Sequence, residues 1–330
     1  LGVAIEAEGL AKQYPGGVTA LDGLSFIVPE GTVFGLLGPN GAGKSTAVKI
    51  LTTLARADAG TASVAGFDVL SEPARVREAI GVVSQTGGLD REATGRENLR
   101  LQGRLFGMGG GELERRTDEL LEQFGLTSAG NRLVREYSGG MCRRLDVALA
   151  LVHQPQVLFL DEPTTGLDPE VRAEMWEEIE RLTGAGLTVL LTTHYLEEAD
   201  RLAAELAIVD RGRIVAEGTP DALKRELRGD AIQVELGAGG EHAGVSEALS
   251  AVADVGQVLL DDRTLHARAE DGAASVPAVL AALEAAGVTV ASVTVSRPSL
   301  DDVYLRFTGR SFHAVDTQAG GSSDQEKAKA

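Results

Sequence analysis

Two kinds of apolar spacing alternate along this chain. Short continuous runs bounded by turn residues, Val33-Phe34-Gly35-Leu36-Leu37, Val157-Leu158-Phe159-Leu160 and the stretch from Thr188 to Thr192, predict strands buried on both faces. Helical spacing of apolar residues predicts helices over Thr46 to Leu51, Glu97 to Phe106, Glu112 to Phe124, Met141 to Val152 and Pro169 to Leu182. The last has Asp168 as its N-cap and proline at its first position. Residues 1 to about 35 read as short strands turning at Pro15-Gly16-Gly17 and Pro29-Glu30-Gly31, a small antiparallel lid. Strands alternating with helices imply an α/β fold on a parallel sheet, interrupted from about 94 to 152 by an all-helical insert.

Beyond about residue 230 the pattern changes. Strand candidates at 232–236, 256–260, 264–268 and 288–295 and helix candidates at 244–253 and 275–286 follow the order βαββαβ, that of a small ferredoxin-like α+β unit. Ser299 to Thr308 reads as a short amphipathic helix, and 309–330, polar and rich in Gly, Ser and charge, as a disordered tail. No internal repeat with a period of 20–50 residues is visible.

Charge narrows the partners. Lys and Arg total 31 against 49 Asp and Glu, so the net charge of −18 repels a phosphate backbone and disfavours a nucleic-acid groove. No apolar run approaches the ~20 residues that span a bilayer. There is no basic segment followed by an apolar one as in a signal peptide, and the single cysteine, Cys142, cannot form an intramolecular disulfide. These features point to the cytoplasm.

The chemistry sits in the glycine-rich turn. Gly38-Pro39-Asn40-Gly41-Ala42-Gly43-Lys44-Ser45 fits G-x-x-x-x-G-K-[ST] and lies between an apolar strand and a helix that continues through Thr46. In that context backbone N–H groups and a helix N-terminus converge on phosphate oxygens, Lys44 reaches the β/γ-phosphates, and the Ser45 hydroxyl can ligate Mg²⁺. Val157 to Leu160 ends in Asp161, placed to hold Mg²⁺ through water, and Glu162, a second carboxylate able to polarise an attacking water. Hydrolysis of a nucleotide follows more readily than mere binding. Ser138 can cap a helix whose first N–H groups are open to an anion, but it lies too far along the helical insert to reach its own phosphate loop easily.

Tyr137-Ser138-Gly139-Gly140-Met141 resembles the L-S-G-G-Q signature of the ATP-binding cassette (ABC) family, with Tyr137 and Met141 where that family has Leu and Gln. The resemblance covers nearly all of residues 3–225, with the motifs in the family's order. It implies ATP and Mg²⁺ as cofactors and a P-loop ABC ATPase domain over 1–228, made of a RecA-like core, an antiparallel β lid and a helical subdomain at about 94–152. It further implies roles for single residues: Gln85 contacts Mg²⁺ and the attacking water, His194 contacts the γ-phosphate, Tyr14 stacks on adenine, and Asp168 belongs to a loop that crosses the dimer interface. Ser138, Gly139 and Gly140 complete the nucleotide pocket of a second copy.

Pro163-Thr164-Thr165-Gly166-Leu167-Asp168-Pro169 and Ser299-Leu300-Asp301-Asp302-Val303-Tyr304-Leu305-Arg306-Phe307-Thr308-Gly309 resemble the daunorubicin-resistance branch of drug-exporter ATPases, in which 229–308 is an accessory domain. This implies an ATP-dependent homodimer, peripheral on the cytoplasmic face of the membrane, that drives a separate ABC-2-type permease and exports a drug or antibiotic. Two other readings compete. An importer ATPase can carry a βαββαβ regulatory domain. A non-transport ABC ATPase acting on ribosomes or DNA is disfavoured by one P-loop, one signature and the acidic charge.

Overall fold

The computed structural model describes residues 2–85, 87–237, 249, 252–261 and 263–312. The chain divides into two compact units, Leu1–Glu217 and Gly218–Ala330.

In the first unit a six-stranded sheet carries the order β10-β9-β3-β8-β7-β6. Its strands β3 (Val33–Leu37), β6 (Ile80–Val83), β7 (Val157–Asp161), β8 (Thr188–Thr193) and β9 (Glu205–Asp210) pair in parallel. Arg213–Gly218 is β10. Alternate residues of these strands enter different cores, which is why the runs are apolar throughout. Phe34, Leu36, Val157, Phe159 and Leu190 pack on one side of the sheet with the lid and helix α1 (Lys44–Leu51). Val33, Leu158, Leu160, Val189 and Leu191 pack on the other side with the helical insert.

The lid is a four-stranded sheet of order β2-β1-β4-β5. Its first strands, β1 (Val3–Tyr14) and β2 (Val18–Pro29), are 12 residues each rather than short, because register shifts at four points let one antiparallel pair absorb the irregular alternation that breaks it into pieces when read as sequence. Ala59–Val64 is β4 and Phe67–Asp68 is β5. The insert holds α3 (Gly95–Leu105), α4 (Gly110–Gln123) and α5 (Gly139–Ala150), after the short α2 (Pro73–Ala79). Thr94 and Glu97 form a capping box that starts α3 two residues before the expected Glu97. Helix α6 (Pro169–Gly184) is capped by Asp168 as expected, and α7 (Leu196–Leu202) follows β8.

The second unit begins with α8 (Pro220–Glu226). Its antiparallel sheet has the order β12-β13-β11-β14, with β11 (Asp230–Leu236), β12 (Val255–Asp261), β13 (Thr264–Ala269) and β14 (Val290–Ser296). The central pair is made of the first and third strands, the ferredoxin-like arrangement. Ile232, Val234, Leu265 and Ala267 pack against Val279 and Leu283 of α9 (Gly272–Ala285). Of the helix expected at 244–253, residues 244–248, 250 and 251 lie outside the described residues. Ser299 caps α10 (Leu300–Thr308), after which Phe312 is buried edge-on to Tyr304, with ring centroids 4.9 Å apart. Residues 313–330 lie outside the described set. Among the described residues, no helix is long and apolar enough to cross a membrane.

Candidate functional site

The glycine-rich turn links β3 to α1 at the carboxyl edge of the parallel sheet, where ligands of such sheets bind. Three distant segments hold it. Gly38 N donates to Thr193 O (3.2 Å), Gly212 N donates to Ala42 O (2.8 Å), and Asp22 N donates to Gly212 O (2.9 Å). Gly43 has φ 112°, and a Cβ there would lie 2.4 Å from Ala20 O, so only glycine lets the turn press against β2. The lid is thereby fixed to the turn, and half-buried Tyr14 lies at the end of the same hairpin, opposite Val18.

Lys44 is buried within this turn. Its Nζ donates to Gly38 O (2.6 Å) and Pro39 O (3.1 Å) and lies 3.4 Å from Glu162 Oε1. The strand order sets β8 between β3 and β7, which brings the end of β7 across to α1. Ser45 Oγ donates to Asp161 Oδ1 at 3.2 Å, and Thr192 Oγ1 of β8 donates to the same oxygen at 2.5 Å. A hydroxyl and a carboxylate facing each other are the hard oxygen donors that suit Mg²⁺.

Glu162 gathers the rest. His194 Nδ1 stands 3.1 Å from its Oε2, Gln85 Nε2 donates to Oε2 at 2.7 Å, and Thr165 Oγ1 donates to it at 3.3 Å. Burial pushes the carboxyl's pKa up, but the His194 hydrogen bond, the Lys44 charge and the Gln85 amide outweigh it and bring the value down to about 2. The resemblance implies that Gln85 contacts Mg²⁺ and the attacking water; its amide here engages Glu162.

Ser138 caps α5 by accepting from Met141 N at 3.2 Å, and Gly139 opens on a cavity of about 500 Å³ shared with Gln85, Glu162, Thr165 and Gly166. Tyr137 is buried, its hydroxyl donating to Ala129 O (2.7 Å), so it serves the helical insert from the position before the serine. Asp168 is exposed, with its carboxylate accepting from Val171 N at 3.0 Å.

Two residues escape the sequence reading. Arg143 is buried and binds main-chain carbonyls: Nε to Pro163 O (2.7 Å), Nη1 to Ser84 O (2.9 Å), and Nη2 to Glu162 O (3.3 Å) and Asp161 O (3.5 Å). One guanidinium thus ties α5 to the segment before Gln85 and to the backbone of Glu162. Its signal is a charge in the stripe Gly140, Arg143, Val147, Ala150, which is otherwise small or apolar and lies on one helix face. Glu198 stands likewise in the stripe Glu198, Ala199, Leu202 of α7 and is fully buried.

With this geometry in view, residues 21–165 match the ABC transporter family and residues 218–308 match the family of the ATP-binding protein DrrA1-3-like, C-terminal domain. The chain is 50% identical over 310 residues to the daunorubicin resistance ATP-binding protein DrrA2 of Streptomyces coeruleorubidus, covering 93% of this chain and 96% of that one. It is 45% identical over 327 residues to the daunorubicin/doxorubicin resistance ATP-binding protein DrrA of Streptomyces peucetius, covering 98% and 97%. Among solved structures, a dimeric post-hydrolysis ATP-binding cassette bound to ADP and Pi superposes with a TM-score of 0.60 at 25% identity, covering 65% of this chain and 98% of that one.

Proposed function

This chain belongs to the ATP-binding proteins of ABC transporters and carries the DrrA1-3-like C-terminal domain, and from that membership we propose that it is the energy-coupling subunit of a drug exporter. It hydrolyses ATP as a homodimer seated on the cytoplasmic face of a separate integral-membrane permease of the ABC-2 type. The observation that carries the hydrolytic reading is the convergence of Lys44, Gln85 and His194 on the Glu162 carboxylate, next to the Ser45–Asp161 pair.

In this reading Gly38, Pro39, Asn40, Gly41, Ala42, Gly43, Lys44, Ser45 and Thr46 cradle the phosphates, and Tyr14 stacks on adenine. Ser45, Gln85 and Asp161, the last through water, hold Mg²⁺, which neutralises charge on the phosphate oxygens when bound. Lys44 changes partners: a γ-phosphate draws its ammonium off Glu162 and so removes one of the charges that depress that carboxyl. Glu162 then becomes basic enough to accept a proton from water, and His194, 3.1 Å from it, contacts the γ-phosphate. The Ser138-Gly139-Gly140 cap of the second copy closes over the phosphates, and Asp168 meets it across the interface.

A surface on the first unit supports a membrane-embedded partner. A cavity of about 330 Å³ beside the Gln85 segment is lined by Leu54, Val82, Phe106 and His153, and Leu54 is 73% exposed at it.

Glu162→Gln keeps ATP affinity, loses roughly 10²-fold or more of turnover, and accumulates an ATP-bound dimer. Steady-state hydrolysis and size-exclusion chromatography with ATP check this, and unchanged turnover removes Glu162 from the role of base. Export is tested by drug accumulation in cells that express the chain with its permease, where Lys44→Ala restores accumulation to the level without the pair.

A further inference from the structure

Glu198 is fully buried in the first turn of α7, four residues after His194. Its Oε1 accepts two hydrogen bonds, from Thr164 Oγ1 at 2.8 Å and from the Trp176 indole Nε1 at 3.0 Å. Thr164, also fully buried, lies in the turn after Glu162, which Thr165 N to Glu162 O (3.4 Å) and Leu167 N to Thr164 O (3.2 Å) close. Trp176 lies on α6, whose N-cap is Asp168.

The sheet alone does not set the distance between His194 and Glu162. Register between β7 and β8 runs to Asp161 opposite Thr192, and Glu162 N still donates to Thr192 O at 3.1 Å. There the chain turns, with Glu162 at φ 49°, a left-handed conformation that non-glycine residues keep only when their surroundings impose it. The first side-chain restraint from α7 on the turn beyond is the Thr164–Glu198 bond. An apolar residue would fill a merely structural position at lower desolvation cost.

We propose that Glu198 is a positioning residue for hydrolysis, whose carboxyl oxygen holds the helix after His194 to the turn after Glu162 and to α6. It rests on the reading of Glu162 and His194 as the reacting pair. A shift of Asp168 or of α6 on dimer closure then reaches that pair through Thr164 and Glu198 without passing through the nucleotide.

Trp176 is the one tryptophan of the chain, so its emission reports on this contact without a label. The experiment compares the full chain with Glu198→Ala, Glu198→Gln, Thr164→Val and the Glu198→Ala/Thr164→Val double variant, measuring kcat, KM for ATP, thermal unfolding and tryptophan emission with and without ATP. Glu198→Ala and Thr164→Val are expected to lower kcat roughly tenfold, with KM within about twofold, and the double variant to be no slower than the slower single one. Glu198→Gln, whose amide oxygen still accepts both bonds, retains most of the turnover. The ATP-dependent change in Trp176 emission disappears in Glu198→Ala and persists in Glu198→Gln.

Unchanged kcat in Glu198→Ala and Thr164→Val overturns the inference. So does a loss that is additive in the double variant and parallels the fall in melting temperature, or a Glu198→Gln as slow as Glu198→Ala. Glu162→Gln, assayed alongside, separates the two levels. If it is inactive while the Glu198 and Thr164 variants turn over normally, only the positioning role fails; if it turns over normally, both readings fail.

Discussion

Two buried carboxylates, Glu162 and Glu198, lie on opposite sides of their ordinary value of 4.5. Glu162 stands at about 2, so its charged form contributes stability above pH 4.5 that is lost as the pH falls toward 2. Burial raises Glu198 against the opposing hydroxyls of Thr193 and Thr164 and the Trp176 indole. The folded state keeps that proton longer, and the stability it contributes falls as the pH rises from 4.5 through the raised value. Thermal unfolding of the two glutamine variants from pH 4 upward is therefore expected to diverge. Glu162→Gln is at its greatest disadvantage to the parent near neutral pH and approaches it below 4.5, while Glu198→Gln gains on the parent as the pH rises. Arg143 offers a second test at this scale. Lysine has no planar fork to span the carbonyls of residues 84, 162 and 163, so Arg143→Lys is expected to lose roughly tenfold or more of turnover with ATP affinity kept, read from kcat and KM. The phosphate turn and the acids Asp161 and Glu162 at the end of β7 are legible in sequence because their chemistry needs adjacent residues. Arg143 and Glu198 are not, because the partners of Arg143 are main-chain carbonyls 18 to 59 positions away and those of Glu198 a hydroxyl and an indole 34 and 22 positions away.

At the scale of elements, strands buried on both faces announce themselves, since Val157 to Leu160 alternate between two cores and so carry no polar residue. Ends are less visible. The helix expected from residue 275 begins at Gly272, where Asp271 accepts from Ala274 N. Pro277, which favours a first turn, lies inside it and draws the apparent start toward itself. Close packing between elements is invisible in sequence. A Cβ on Gly81 of β6 would lie 2.4 Å from the main-chain oxygen of Ala150, at the end of α5. Backbone cannot swing away as a side chain can, so Gly81→Ala is expected to destabilise the chain by about 1–3 kcal/mol, measured by denaturant unfolding. Because Ser138 is the N-cap of α5, turnover in that variant also reports whether the seat of α5 on the sheet matters for the cap.

For the whole molecule, the proposed reaction centre is divided between two copies, and this has an arithmetic consequence. Lys44→Ala and a bulky Ser138 variant such as Ser138→Phe are each expected to be inactive alone. Mixed in equal amounts, half of the dimers are heterodimers with one intact centre of two, so about a quarter of parental turnover returns if the centres act independently. No recovery on mixing, or full turnover by a monomeric sample, rejects the divided site. The charge of −18 is legible from composition, whereas the exposed leucines on the first unit, such as Leu54 and Leu105, stand out only in the fold.

The stitching of Gly212 to Ala42 and Asp22 carries one more consequence, for the order in which the molecule is made. The glycine turn leaves the ribosome early, but the strand β9 beside it and the glycine that closes it are encoded some 170 codons later. A nascent chain therefore emerges with its nucleotide grip unfinished, and translation must run almost through the first unit before the grip can close.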